Sequence, residues 1–137
     1  MARTHDVLTY EASSRSDPAT AWSLVARPAR WPEWAPHLRG AWGLGDPEVR
    51  EGARGAARLL GVVPVPATIT RTVPGRLWTW RVGPVELDHR VEPRAGGGCV
   101  VGVDLRAPAP LEAVLRATYG PVVALLVAHL ARVAERS

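Results

Sequence analysis

This 137-residue chain contains no lysine and no phenylalanine, one cysteine and one methionine. Each absence removes a class of chemistry. Without lysine there is no Schiff-base catalysis and no glycine-rich phosphate loop ending in lysine. With Cys99 alone there is no internal disulfide, which fits a reducing compartment. Cys99 also lacks a Cys-x-x-Cys partner and reads as a small buried apolar side chain. There is no Gly-x-Ser-x-Gly elbow. The four histidines, His5, His37, His89 and His129, show no metal-ligand spacing. No run approaches the ~18 uncharged apolar residues of a membrane span, and the opening Met-Ala-Arg-Thr-His-Asp lacks the apolar core of a signal peptide. The expectation is one cytoplasmic domain over residues 1–137, a monomer or homodimer without metal or cofactor.

The charge that is present is scattered. All 17 basic residues are arginine, against 13 acidic ones, for a net charge of +4. Nucleic-acid binders cluster such residues; here they are dispersed from Arg3 to Arg136, so no nucleic-acid partner is expected. The large rings are almost all indoles: Trp22, Trp31, Trp34, Trp42, Trp78 and Trp80. They either fill the core where phenylalanine is missing or line a wide ligand pocket, where an apolar body with one N–H is useful.

Punctuation by proline and glycine divides the chain clearly. His5 to Ser14 reads as a first strand. Ser16-Asp17-Pro18 starts a short helix over Ala19 to Ala26, capped by Ser16 or Asp17. Arg30 to Leu38 reads as a second short helix or a pair of turns. Strands follow at Gly40–Leu44, Glu51–Leu60, Ala67–Val73, Arg76–Val82, Val85–Glu92 and Cys99–Arg106, with Gly61–Pro66 as a proline-punctuated connection. Ala109 to Arg136 is one long helical stretch with Leu111, Leu115, Thr118, Val122, Leu125, His129 and Val133 as its apolar stripe. Gly120-Pro121 should bend it. Such a stripe must lie against the sheet, and function is expected in the space between them.

Several stretches carry a resemblance. They are Asp17-Pro18-Ala19-Thr20-Ala21-Trp22, Trp31-Pro32-Glu33-Trp34-Ala35-Pro36, Pro74-Gly75-Arg76-Leu77-Trp78-Thr79-Trp80, Gly83-Pro84-Val85 leading to His89, the glycine-rich turn before Cys99, and the terminal helix. Together they resemble the START/polyketide-cyclase-like (SRPBCC) superfamily of the birch-pollen-allergen fold. The resemblance implies an α+β helix-grip fold, a curved antiparallel sheet of about seven strands around a long C-terminal helix, with two short helices after the first strand. It also implies a cavity for a small apolar molecule, serving either a polyketide-type cyclase or dehydratase or a non-catalytic carrier or regulatory module. It carries no universal catalytic residue.

Site candidates therefore come from strand alternation. In Val85–Glu92, Val85, Leu87, His89 and Val91 share a face opposite the charged Glu86, Asp88, Arg90 and Glu92. His89 is either a satisfied core histidine or an acid/base in the cavity, useful if its pKa lies near neutrality. By the same logic Trp78 and Trp80 point inward, as do Cys99, Val101, Val103 and Leu105. Arg58 and Arg71 could face either side. An inward arginine would suit a carboxylate or enolate. The candidate ligand-binding set is Trp34, Arg58, Trp78, Trp80, Leu87, Val101, Tyr119 and Val122, with His89 as the candidate catalytic group. His129 is read as structural.

Overall fold

The computed structural model describes residues 5–36, 38–59 and 63–137. His37, Leu60 and Gly61, assigned above to a short helix, a strand end and a connection, lie outside the described residues. The chain runs β1 (His5–Ser14), α1 (Pro18–Ala26), a 3₁₀ helix (Pro28–Glu33), β2 (Leu38–Trp42), β3 (Arg54–Leu59), β4 (Val63–Val73), β5 (Leu77–Val82), β6 (Val85–Pro93), β7 (Cys99–Pro108), α2 (Ala109–Thr118) and α3 (Gly120–Glu135). The seven strands form one antiparallel sheet in the order β1-β7-β6-β5-β4-β3-β2. It is open, and α3 packs against β1 and β7. This is the helix-grip fold.

Two local features depart from the sequence reading, and a third gives the expected bend its size. β4 begins at Val63, although Pro64 and Pro66 suggested a connection. The prolines pair with Arg58 and Ala56 of β3, while β5 pairs only from Thr68 onward. Their missing N–H groups thus fall where no ladder bond is needed on the β5 side. Second, the β4–β5 register shifts between Ile69 and Arg71. A strict period of two would put Arg71 on the same face as Ile69. The bulge turns it outward, opposite Thr79, and its side chain is exposed. Third, the terminal helix is two helices meeting at 59°. No single helix among the described residues is long and apolar enough to cross a membrane.

The bend occurs where Gly120-Pro121 was expected to place it. Pro121 cannot donate to the ladder. Gly120 is fixed by contact, because a Cβ there would stand 2.3 Å from the Tyr10 hydroxyl of β1. Beyond the bend the buried residues of α3 are Val123, Val127, Leu130, Ala131 and Ala134. Val122 and Leu125 are 41% and 72% exposed, so the expected stripe is out of phase by one residue after the break.

The indoles explain the missing phenylalanine. The last carbonyls of a helix lack intrahelical donors. At the end of α1, Trp34 Nε1–H donates to the Leu24 carbonyl at 2.9 Å, and Trp31 and Trp78 both donate to the Val25 carbonyl, at 2.9 and 3.0 Å. Trp22 donates to Glu48. At the other end of α1, Asp17 accepts from the Thr20 amide at 2.9 Å. These rings fill volume and also terminate a helix, which a phenyl ring cannot do.

The outer face of β1, β7, β6 and β5 is a charged ladder. Arg106 holds Asp88, which also accepts from Thr79 at 2.6 Å. Arg90 bridges Asp104 (2.7 and 3.0 Å), Glu11 (2.8 Å) and Glu92. Gly102 permits this, since a Cβ would stand 2.7 Å from the Arg90 guanidinium. The polar face assigned to Glu86, Asp88, Arg90 and Glu92 is thus outward, and its partner face, with His89, is inward.

Candidate functional site

Between the inward face of the sheet and the α2–α3 bend lies a cavity of about 280 Å³. Trp80, Val82, Val85, Leu87 and Leu105 supply its sheet wall; Ala57 and Val65 extend it across β3 and β4. Leu38, Leu115 and Tyr119 complete the enclosure. The small side chain of Ala57 leaves space that a longer residue would fill. A recess of about 50 Å³ adjoins it, sharing Leu38, Trp80, Leu87 and Tyr119 with the cavity and adding Trp34, His89, Val103 and the buried face of α3. The main chamber sits just below the ~300–1,000 Å³ range of ligand pockets.

His89 stands in the recess wall. It is 6% exposed and stacks on Trp78, with ring centroids 3.7 Å apart and planes 8° from parallel. Its Nδ1 lies 3.3 Å from the Trp78 carbonyl oxygen. A carbonyl only accepts, so Nδ1 carries the proton and Nε2 is an acceptor lone pair. The one hydrogen bond that His89 makes among the described residues is through Nδ1, which leaves Nε2 for the recess that the residue lines. Burial pushes the imidazole pKa down to about 4, against the Trp78 carbonyl, Asp88 and Asp104, which all raise it. His89 is therefore neutral at pH 7, and the premise of a pKa near neutrality is corrected.

Tyr119 occupies the joint between α2 and α3 and lines both compartments. Burial raises its phenol pKa, so it too is neutral. Trp80 lines both compartments, and its Nε1–H is buried without a partner. It meets Trp31, Trp78 and His89 edge-on, at interplanar angles of 79°, 90° and 86°.

Of the residues singled out by sequence, Trp34, Trp80, Leu87, His89 and Tyr119 come together around the two compartments. Four do not. Trp78 and Val101 point inward but lie 1% and 0% exposed in the packed core, outside either lining. Alternation gives the face of a residue and not its depth along the sheet. Arg58 is exposed, with its guanidinium 5.6 Å from the Trp42 ring centroid, because the opposite parity of β3 carries the buried Ala57. Val122 faces solvent for the reason given above. His129 is structural, its Nδ1 3.0 Å from the Trp34 carbonyl oxygen. Cys99 is fully buried, and burial raises its thiol pKa. Leu115 belongs to the stripe read from the helical spacing; sequence reasoning missed Leu38, Ala57 and Val65. Only the apolar character and strand parity of Ala57 and Val65 could have signalled them.

A larger void of about 420 Å³ lies between the 3₁₀ helix and the β2 end, lined by Pro28, Pro32, Trp42 and Asp46 among others. It is a groove walled largely by proline and glycine, beside a half-exposed Trp42. It gathers no converging polar side chains, so the smaller cavity is the candidate site.

An apolar chamber gripped between an antiparallel sheet and a bent helix pair defines a helix-grip domain. The chain belongs to the polyketide cyclase / dehydrase and lipid transport family, whose description matches residues 6–135. Solved structures agree on the fold. Norcoclaurine synthase from Thalictrum flavum, as a point mutant with a transition-state analogue, superposes with a TM-score of 0.68 at 12% identity, covering 99% of this chain and 98% of that one. A protein of Nitrosomonas europaea gives 0.74 at 11% identity, covering 95% and 94%. A polyketide-cyclase-like protein of Corynebacterium glutamicum gives 0.64 at 16% identity, covering 94% and 91%. No curated protein matches this sequence closely enough to count as a relative.

Proposed function

We propose that this chain encloses a small lipophilic molecule in the cavity beneath the α2–α3 bend and acts on it as a polyketide-type cyclase or dehydratase. The observation that carries the reading is that the apolar chamber shares Leu38, Trp80, Leu87 and Tyr119 with the recess that His89 lines. An apolar wall folds and desolvates a flexible substrate, and a lone pair beside it receives or directs a proton.

Binding is tested with indole emission. A quenching two-ring compound such as 1-nitronaphthalene should lower the emission, and Trp80→Leu should remove most of the ligand-dependent change. An undiminished response in Trp80→Leu would place the ligand elsewhere.

Catalysis is tested at His89. Its low basicity limits it to the bottom of the range for general-base groups, so His89→Gln should lower turnover about 10²-fold. Apolar-ligand affinity should stay within a few-fold. Turnover indifferent to the change would remove His89 from the chemistry. If the chain is only a carrier, no turnover will be found and His89→Gln will act on affinity alone.

A further inference from the structure

The walls of the chamber and its recess contain no ionised side chain among the described residues. The arginines that might have faced them, Arg58 and Arg71, are exposed. The acids and bases nearest the recess, Asp88, Arg90, Asp104 and Arg106, are spent on one another across the outer face of the sheet. What remains inside, among the described residues, is neutral: His89, Tyr119 and the unpartnered Trp80 Nε1–H. His89 presents Nε2 as an acceptor, its tautomer fixed by the Trp78 carbonyl. Tyr119 lines both compartments and is neutral.

We infer that the cavity selects an electrically neutral ligand of about two fused rings that carries a phenolic or enolic O–H, donated to His89 Nε2, and that it rejects carboxylates, phosphates and amines. The inference rests on the cavity being the binding site. The size follows from scale, since a cavity of about 150 Å³ holds one benzene and this chamber has about 280 Å³. Rejection follows from desolvation. A charge taken into this space finds no counter-charge, and an unpaired buried charge is far costlier than an unpaired dipole. Fatty acids and phospholipid headgroups are thereby excluded from the interior. The same geometry favours the neutral enol over the enolate, because nothing in the wall would stabilise an oxyanion by charge.

Four compounds of one shape make the test at pH 7 by calorimetry: 2-naphthol, 2-methoxynaphthalene, 2-naphthoate and 2-naphthylmethylammonium. The naphthol should bind tightest. The methoxy compound keeps the rings and loses the donor, and should bind roughly three- to tenfold more weakly, the value of one neutral hydrogen bond. Both ions should bind at least about 10²-fold more weakly. His89→Leu should abolish the preference for naphthol over its methyl ether while holding affinity for the ether within a few-fold. On the unaltered protein, the absorbance titration of bound 2-naphthol should shift its ionisation to higher pH, as burial without a cation requires. This readout stands even if His89→Leu does not fold. Naphthoate binding within tenfold of naphthol, or a bound naphthol that ionises at lower pH, would overturn the neutral-ligand inference and leave the cavity reading intact. A naphthol preference that survives in His89→Leu would overturn the assignment to Nε2. Failure of both neutral compounds to bind would overturn the cavity reading and this inference together.

Discussion

Replacing Trp78 with alanine should lower stability by about 3–5 kcal/mol, the cost of deleting a large buried ring from a packed core. Trp78 is 1% exposed and lies between Trp31, stacked at 5.5 Å, and His89, stacked at 3.7 Å. Its removal opens a void in contact with both rings and takes one indole donor from the end of α1. Trp78→Phe separates these contributions. It keeps one six-membered ring and loses the N–H with the rest of the indole, and the Val25 carbonyl still receives Trp31 Nε1–H at 2.9 Å. The phenylalanine variant should therefore cost about 2–3 kcal/mol, about 1 for the hydrogen bond and the rest for the smaller void. Urea unfolding of the two variants against the parent measures both. Equal losses would show that the hydrogen bond, and not the volume, dominates at this position.

Acid should weaken the fold through His89. Its folded pKa of about 4 lies below the free value of 6.5, so the neutral form is the native one. Between those values the unfolded chain binds the proton and the folded chain does not. Stability from this group is therefore complete above pH 6.5, falls as the pH drops toward 4, and changes little below that. The loss across the window is on the order of 3 kcal/mol. Urea midpoints for the parent and His89→Gln, taken from pH 7 to pH 4, isolate it, because the other titrating groups cancel in the difference. Asp88 belongs to a lower window. Burial would raise its pKa, but Arg106 and Thr79 hold it below the ordinary carboxylate value. Parallel stability curves for the two proteins would show that His89 is hydrated in the native state.

Much of this fold was legible from the chain. The first strand was read as His5–Ser14, and the hairpins of β5, β6 and β7 were marked by Pro74-Gly75, Gly83-Pro84 and the Gly96–Gly98 run. Where the reading failed, a local period had been carried through an interruption. The stripe through Val122 and Leu125 assumed one helical phase across Gly120-Pro121, and the 59° bend reset it to Val123 and Val127. Arg71 was ambiguous because a bulge at Thr70 leaves no mark in composition. At the site, alternation placed Leu87 and His89 on the correct face, since an all-charged opposite face leaves one solution, and it grouped Trp80 with Trp78 against Leu77, Thr79 and Arg81. It could not say that Trp78, two residues from Trp80, belongs to the core and not to the cavity, because that depends on α1 and the 3₁₀ helix covering one end of β5.

The joint between β1 and β7 has a consequence for how the chain is made. The two strands pair from His5↔Pro108 to Ser14↔Cys99, and the Thr9 hydroxyl reaches an Asp104 carboxylate 95 residues away. At synthesis rates of about 5–20 residues per second, the 95 residues that separate those partners take about 5–19 s to emerge. For that time β1 is an unpaired strand whose Leu8, Tyr10 and Ala12, which later pack against the core, are uncovered. The hairpins from β3 to β7 can close on neighbours already made, whereas β1 must wait for the last strand. The most vulnerable moment for this protein thus falls before the cavity exists, at the ribosome, when a single early strand is free to pair with the wrong partner.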